Sequence, residues 1–213
     1  MFTQWGMPQA FRCDNGQPWG SANDLPTPLC CWLVGLGIKI QFIPPGQPQK
    51  NGVVERSQGT GKRWAEPKQC DSVEMLQEHL DEVDALQREW YPYRDGQSRW
   101  EIYPQLRHSG RPYRKSQEPK HWEMARVWAY LSEGIYPRKV DRQGKVSLYD
   151  RPQWVGQAWA GKTVLVTMDA SSGEWIFLDE SNHEIRRRTF DEWTTPTLCN
   201  LGAERTKGRG RKK

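Results

Sequence analysis

The sequence predicts an α/β region, then a helical and extended connector, then a small all-β barrel. Three observations carry this. Residues 10–43 alternate strand-like runs with an apolar helical segment. Residues 71–91 place apolar side chains at helical spacing. From about residue 122 onward, short β-prone runs are separated by turn signals. The expected divisions are 1–66 for the α/β region, 67–120 for the helix and connector, 121–194 for the barrel and 195–213 for a disordered basic tail.

The elements come in this order. Ala10-Phe11-Arg12-Cys13 reads as a short strand ending at the turn Asp14-Asn15-Gly16. Residues 27–36 read as a helix opened by Pro26-Thr27-Pro28 and closed by Gly35 or Gly37. Residues 38–43 (Ile-Lys-Ile-Gln-Phe-Ile) alternate apolar and polar, as in a half-buried strand, and two prolines stop them. A second helix is expected from Pro48 or Gln49 to about Trp64. The clearest helix spans 71–91. Asp71 is its expected N-cap, Glu74 completes a capping box, and Val73, Leu76, Leu80, Val83 and Leu86 form its packing stripe. Residues 92–120, rich in Pro, Arg, Gly and Tyr, read as extended. The expected barrel strands are 125–131, 135–140, 145–148, 163–168, 175–178 and 184–190.

Composition narrows the function classes. Lys and Arg outnumber Asp and Glu by 31 to 26, and six of those cations (Arg205, Lys207, Arg209, Arg211, Lys212 and Lys213) crowd the last nine residues. Such a run fits a polyanion. Twelve tryptophans argue against a wholly disordered chain. No apolar run approaches the roughly 20 residues that span a bilayer, so no membrane partner is expected. No basic, then apolar, leader opens the sequence. The five cysteines (Cys13, Cys30, Cys31, Cys70 and Cys199) form no C-x-x-C pair. Free thiols in a reducing cytoplasm are the expectation, without a zinc site or disulfide framework. The four histidines show no ligand-like spacing.

Two carboxylates stand out by context. Asp14 comes after a strand, at a turn where Asn and Gly accept positive φ. Glu55 comes after the run Pro44-Pro45-Gly46-Gln47-Pro48-Gln49-Lys50-Asn51-Gly52-Val53-Val54, at a helix start. Each has an ordinary reading, as a turn residue and as a solvated helix residue. Fixed on two rigid elements, however, the pair could share a divalent ion of the kind that takes oxygen ligands and keeps waters for phosphate to displace.

The ordered series Asp14-Asn15-Gly16, a helix, Leu36-Gly37-Ile38, Pro45-Gly46-Gln47-Pro48-Gln49, Asn51-Gly52 and Glu55-Arg56 resembles the latter half of the catalytic core of DDE-type transposases and retroviral-like integrases. The segments Tyr91-Pro92-Tyr93-Arg94 and 103–113 resemble the stretch C-terminal to that core in bacterial insertion-sequence transposases. Residues 146–164 look like the small C-terminal barrel of some of them. The resemblance implies a partial ribonuclease H-like integrase core, a connector and an SH3-like all-β barrel. It also implies DNA integration by metal-dependent phosphoryl transfer, with Mg²⁺ or Mn²⁺ as cofactor, DNA ends and target as partners, a homo-oligomer, and a bacterial cytoplasmic setting at the nucleoid.

By this resemblance Asp14 matches the second catalytic acid and Glu55 the third, both as metal ligands. Asn15 and Asn51 shape the loops. Each helical residue advances about 100°, so Glu55, Gln58, Gly59 and Lys62 share one face. The resemblance gives Lys62 a phosphate to position and Arg56 a further DNA contact, while Lys62 reads equally as a solvated lysine. Arg186, Arg187 and Arg188 on a late strand, with the tail cations, are the remaining expected DNA contacts. Alternate strand residues face opposite sides, so the three arginines do not share one surface. The family's first Asp lies on an earlier strand, and residues 1–13 contain neither Asp nor Glu. The expectation is an N-terminally truncated piece that holds one ion weakly and is inactive alone. The alternative is a non-catalytic DNA-binding or regulatory fragment.

Overall fold

The computed structural model describes residues 2–21, 24–47 and 52–201. In chain order the elements are α1 (Phe2–Trp5), β1 (Ala10–Cys13), α2 (Pro28–Gly35), β2 (Lys39–Phe42), α3 (Gly52–Trp64), α4 (Val73–Ala85), α5 (Arg99–Ile102), α6 (Glu118–His121), α7 (Met124–Ser132), β3 (Tyr136–Lys139), β4 (Lys145–Leu148), β5 (Arg151–Trp154), β6 (Thr163–Asp169), β7 (Glu174–Leu178), β8 (Glu184–Thr189) and α8 (Thr195–Cys199). The fold is mixed α/β. Two compact units form: residues 1–15 with 41–115, and residues 16–40 with 116–213. Among the described residues no helix is long and apolar enough to cross a membrane.

β1 pairs with β2, and within the first unit the Ile43 amide donates to the Cys13 carbonyl at 2.9 Å. The N-terminal segment is tied down from far along the chain. The Met7 amide donates to the Arg111 carbonyl (2.8 Å), and Arg111 Nη1 donates to the Pro8 carbonyl (2.7 Å). α4 is capped by Ser72, one residue after the expected Asp71. Ser72 is extended, and its hydroxyl accepts from the Met75 amide. The expected stripe is buried only in part: Val83 is in the core, Val73 is 75 % exposed and Leu86 45 % exposed. The α-helix stops at Ala85 and continues as one wider π turn, Leu86–Trp90, in which the Tyr91 amide reaches back to the Leu86 carbonyl at 2.8 Å. The connector is less extended than its Pro and Gly content suggests. Ser98 opens α5 with a capping box to Glu101.

The second unit is built on an antiparallel sheet of order β3-β6-β7-β8, beside a β4-β5 hairpin. Alternation sets its faces: Val164, Val166 and Met168 of β6 and Trp175 and Phe177 of β7 point into the core. α2 and α7 supply Cys30, Cys31, Leu33, Val127 and Leu131 to the same core. Three expectations are corrected by this unit. Residues 125–131 read as a strand because of Val, Trp and Tyr, yet they form helix α7. Val127 and Leu131 are four apart and both buried, and the 3.6-residue period outweighs β-propensity. β5 is an additional strand, hidden in the sequence because Pro152 argues against one. The proline is tolerated in a two-stranded ribbon, where it pairs with Ser147. Residues 195–199, expected to be disordered, form helix α8. Thr194 caps it, Pro196 occupies its first turn, and Leu198 and Cys199 are buried. Residues 202–213, which include all six tail cations, lie outside the described residues.

The thiols differ in burial. Cys13, Cys30, Cys31 and Cys199 are buried, and Cys70 is half-buried. Burial pushes the Cys30 and Cys31 thiols above the ordinary range and the Tyr136 phenol up to about 12. Because thiolate is the reactive form, brief alkylation of the native protein is expected to modify Cys70 first. Intact mass should show one adduct before unfolding and five after it. Equal labelling of Cys31 and Cys70 in the native state would contradict this packing.

Candidate functional site

Asp14 stands immediately after β1, and Glu55 lies in the first turn of α3. Both line one open cavity of about 260 Å³, together with Asn15 and the run from Ile43 to Gln47. Asn15 contributes directly to its shape. Its side-chain amide donates to the Ile43 carbonyl at 2.8 Å, fastening the turn after β1 to the loop after β2. Gly46 takes φ +74, a backbone conformation at which a side chain would be strained. Asn51, the other expected loop residue, lies outside the described residues.

Two carboxylates on one cavity are oxygen donors suited to a hard cation. Among the described residues no group of three or more His, Cys, Asp or Glu side chains is placed to hold a metal. In kind the donors fit one divalent ion; in number they do not make a three-acid site.

Lys62 and Arg56 lie exposed on α3, and they occupy different faces. At about 100° per residue, Lys62 returns to within roughly 20° of Glu55, whereas Arg56 stands about 100° away. Arg56 lines a second, larger cavity of about 560 Å³, bounded also by Arg63, Trp64 and Tyr91. Nothing in the sequence pattern pointed to that cavity. Trp64 and Tyr91 are 27 residues apart in the chain, and their rings sit 5.3 Å apart, with Tyr91 directly after the π turn.

The arginines of β8 prove unequal. Arg187 donates to Asp169 at 2.7 Å and to Glu184 at 3.0 Å. The Ser171 hydroxyl and then Arg187 hold the Asp169 carboxyl well below the usual carboxylate range. That pairing therefore persists as pH falls through the range where ordinary carboxylates protonate. Arg188 is engaged by Asp191 and by Glu192. Arg186 alone of the three has no carboxylate partner among the described residues. It lies over the half-exposed Trp154 ring, 4.7 Å from its centroid. Arg205, Lys207, Arg209, Arg211, Lys212 and Lys213 lie outside the described residues.

Residues 36–91 match the family model described as "Integrase core domain". The matched segment contains β2, the Pro/Gly loop, α3 with Glu55, Arg56 and Lys62, and α4 through the π turn. Asp14 lies outside it, so its assignment rests on the cavity it shares with Glu55.

Proposed function

We propose that this chain, whose residues 36–91 match an integrase core model, acts in DNA integration or transposition of the bacterial insertion-sequence type. Asp14 and Glu55 together hold one divalent ion, Mg²⁺ or Mn²⁺. The observation that carries this is the cavity that the two carboxylates share at the end of β1 and the start of α3. A bound ion would supply Lewis-acid polarisation of a phosphate oxygen. The chain's own residues orient the acids and the DNA: Asn15 fixes the turn that bears Asp14, and Lys62, on the Glu55 face, meets a neighbouring phosphate. The antiparallel strands and hairpin of the second unit suit the SH3-like barrel implied by the resemblance. There Arg186 offers a cation not already neutralised by a carboxylate, alongside the tail.

In-line phosphoryl transfer with two ions needs both the attacking and the leaving oxygen to be clamped. Two acids do not fix two ions, so the chain alone is expected to bind DNA without cutting or joining it. Mn²⁺ titrated into the full chain and monitored by paramagnetic resonance should show one weakly held ion. Asp14→Asn and Glu55→Gln should each remove it. Binding that survives both substitutions would place the ion elsewhere. Nicked or joined product that vanishes with Glu55→Gln would show that another residue or a second chain completes the site. The non-catalytic reading, a DNA-binding or regulatory protein, is favoured by one specific observation: no third donor accompanies the pair among the described residues. Absence of any metal-dependent signal in the same titration selects it.

A further inference from the structure

The cavity on the other face of α3 has the parts of a nucleotide site. Its volume of about 560 Å³ lies within the range of small-ligand pockets. Four guanidiniums, those of Arg56, Arg63, Arg88 and Arg99, line it against the single carboxylate of Asp84. Asp84 is occupied by Arg88 at 3.2 Å. Arg99 is held by donating to the Gln87 carbonyl (2.7 Å) and stacks over Tyr93 at 4.8 Å. Arg56 and Arg63 have no partner for their guanidiniums among the described residues. They stand seven residues apart on α3, two turns along one face.

Beside these cations lie three exposed aromatic rings. Trp64 is 38 % exposed, Tyr91 47 % and Tyr93 42 %. Exposed aromatics beside arginines without a carboxylate partner suit a ligand that carries both a flat ring and an anion. Tyr91 follows directly on the π turn and meets Trp64, and such wider turns are frequent at functional sites.

We propose that this cavity binds an unpaired nucleotide of a DNA single strand. The base stacks on Trp64 or Tyr91, and the flanking phosphates lie on Arg56 and Arg63. The inference rests on the proposal that the chain acts on DNA, and it adds a second contact surface with a different substrate form. Trp64 and Tyr91 touch each other at a 58° tilt, so a base stacks on an outer ring face and not between the rings. A base inside a duplex is covered on both faces by its neighbours, so away from a duplex end only an unpaired base offers the free face this cavity needs. Stacking of this kind tolerates any base, since each has a π-face.

The test uses the full chain and three fluorescein-labelled oligonucleotides of equal length: oligo(dT), its abasic analogue and a duplex. Anisotropy should show oligo(dT) bound roughly 5- to 150-fold more tightly than the abasic strand, the range expected of one stacked base. Trp64→Ala should erase that preference, and Trp64→Phe should keep most of it. Arg56→Ala with Arg63→Ala should flatten the salt dependence for oligo(dT) by about 0.7 per phosphate contact, or about 1.4 for the pair. Duplex affinity should be unchanged by Trp64→Ala. Equal binding of oligo(dT) and the abasic strand, or a preference untouched by both sets of substitutions, would overturn this site while leaving the DNA reading intact. A chain that binds none of the three would overturn both.

Discussion

Replacing Glu192 with alanine is expected to destabilise the second unit by about 3–5 kcal/mol, the cost of removing one partner from a buried charged network. The Glu192 side chain has no exposed surface. It accepts hydrogen bonds from Trp175 Nε1 at 3.0 Å, Gln153 Nε2 at 3.3 Å, Arg188 Nη1 at 3.1 Å and the Asp191 amide at 3.2 Å. Trp175 and Gln153 are themselves buried, so their donors would face neither water nor an acceptor. Burial alone pulls the Arg188 guanidinium down, but its bonds to Asp191 and Glu192 outweigh that and hold it above its ordinary value. Without Glu192 that cation keeps only Asp191. Urea unfolding monitored at the tryptophans measures the loss. Glu192→Gln keeps the shape and one acceptor, and should fall between wild type and alanine. A cost below about 1 kcal/mol for Glu192→Ala, the size of an exposed pair, would mean that water reaches the network.

The second large effect is expected at Gly35. A Cβ built on this residue would overlap the Trp122 indole, which is itself buried. The indole cannot retreat freely, because its Nε1 donates to the Trp32 carbonyl at 3.0 Å. The Gly35 carbonyl is also committed, accepting from the Glu123 amide (3.1 Å) and Arg126 Nη1 (2.9 Å). These bonds bring the start of α7 to the end of α2. Gly35→Ala should therefore cost about 1–3 kcal/mol of overpacking, and more if the indole bond breaks. Thermal unfolding of the pure protein tests this. A stabilised Gly35→Ala, as expected for an unhindered helical glycine, would show that Trp122 moves aside at no cost.

What was legible in the sequence was chemically local. The strand at 10–13 has the expected bounds, and α2 begins where Thr27 and Pro28 supply a cap and a first helical residue. Asp14 and Glu55, each at the end of a short, strongly punctuated run, line one cavity. What depended on distant packing was not legible. A strand-like composition became α7 because Val127 and Leu131 found a core on one side only. Arg187 and Arg188 read as free cations, since Asp169 and Glu192 lie 18 and 4 residues away in the chain and only the fold aims them inward. The aromatic cavity beside α3 is lined from both sides of a change of helix pitch at Leu86, for which no residue type is a signal.

α3 itself has a consequence for every ligand that meets it. None of its described side chains is buried, and Gly59 and Gly61 have no neighbour within 4 Å of where a Cβ would stand. Each glycine weakens a helix by roughly 1 kcal/mol relative to alanine. An element with so few buried contacts opens locally at a small fraction of the global unfolding free energy. Glu55, Lys62, Arg56 and Arg63 are in place together only while the helix is formed. The apparent affinity of an ion or a strand is then its intrinsic affinity reduced by the formed fraction. If the proposed ion and strand both bind, whichever arrives first raises that fraction for the next, which links the two faces of α3 thermodynamically without a shared residue.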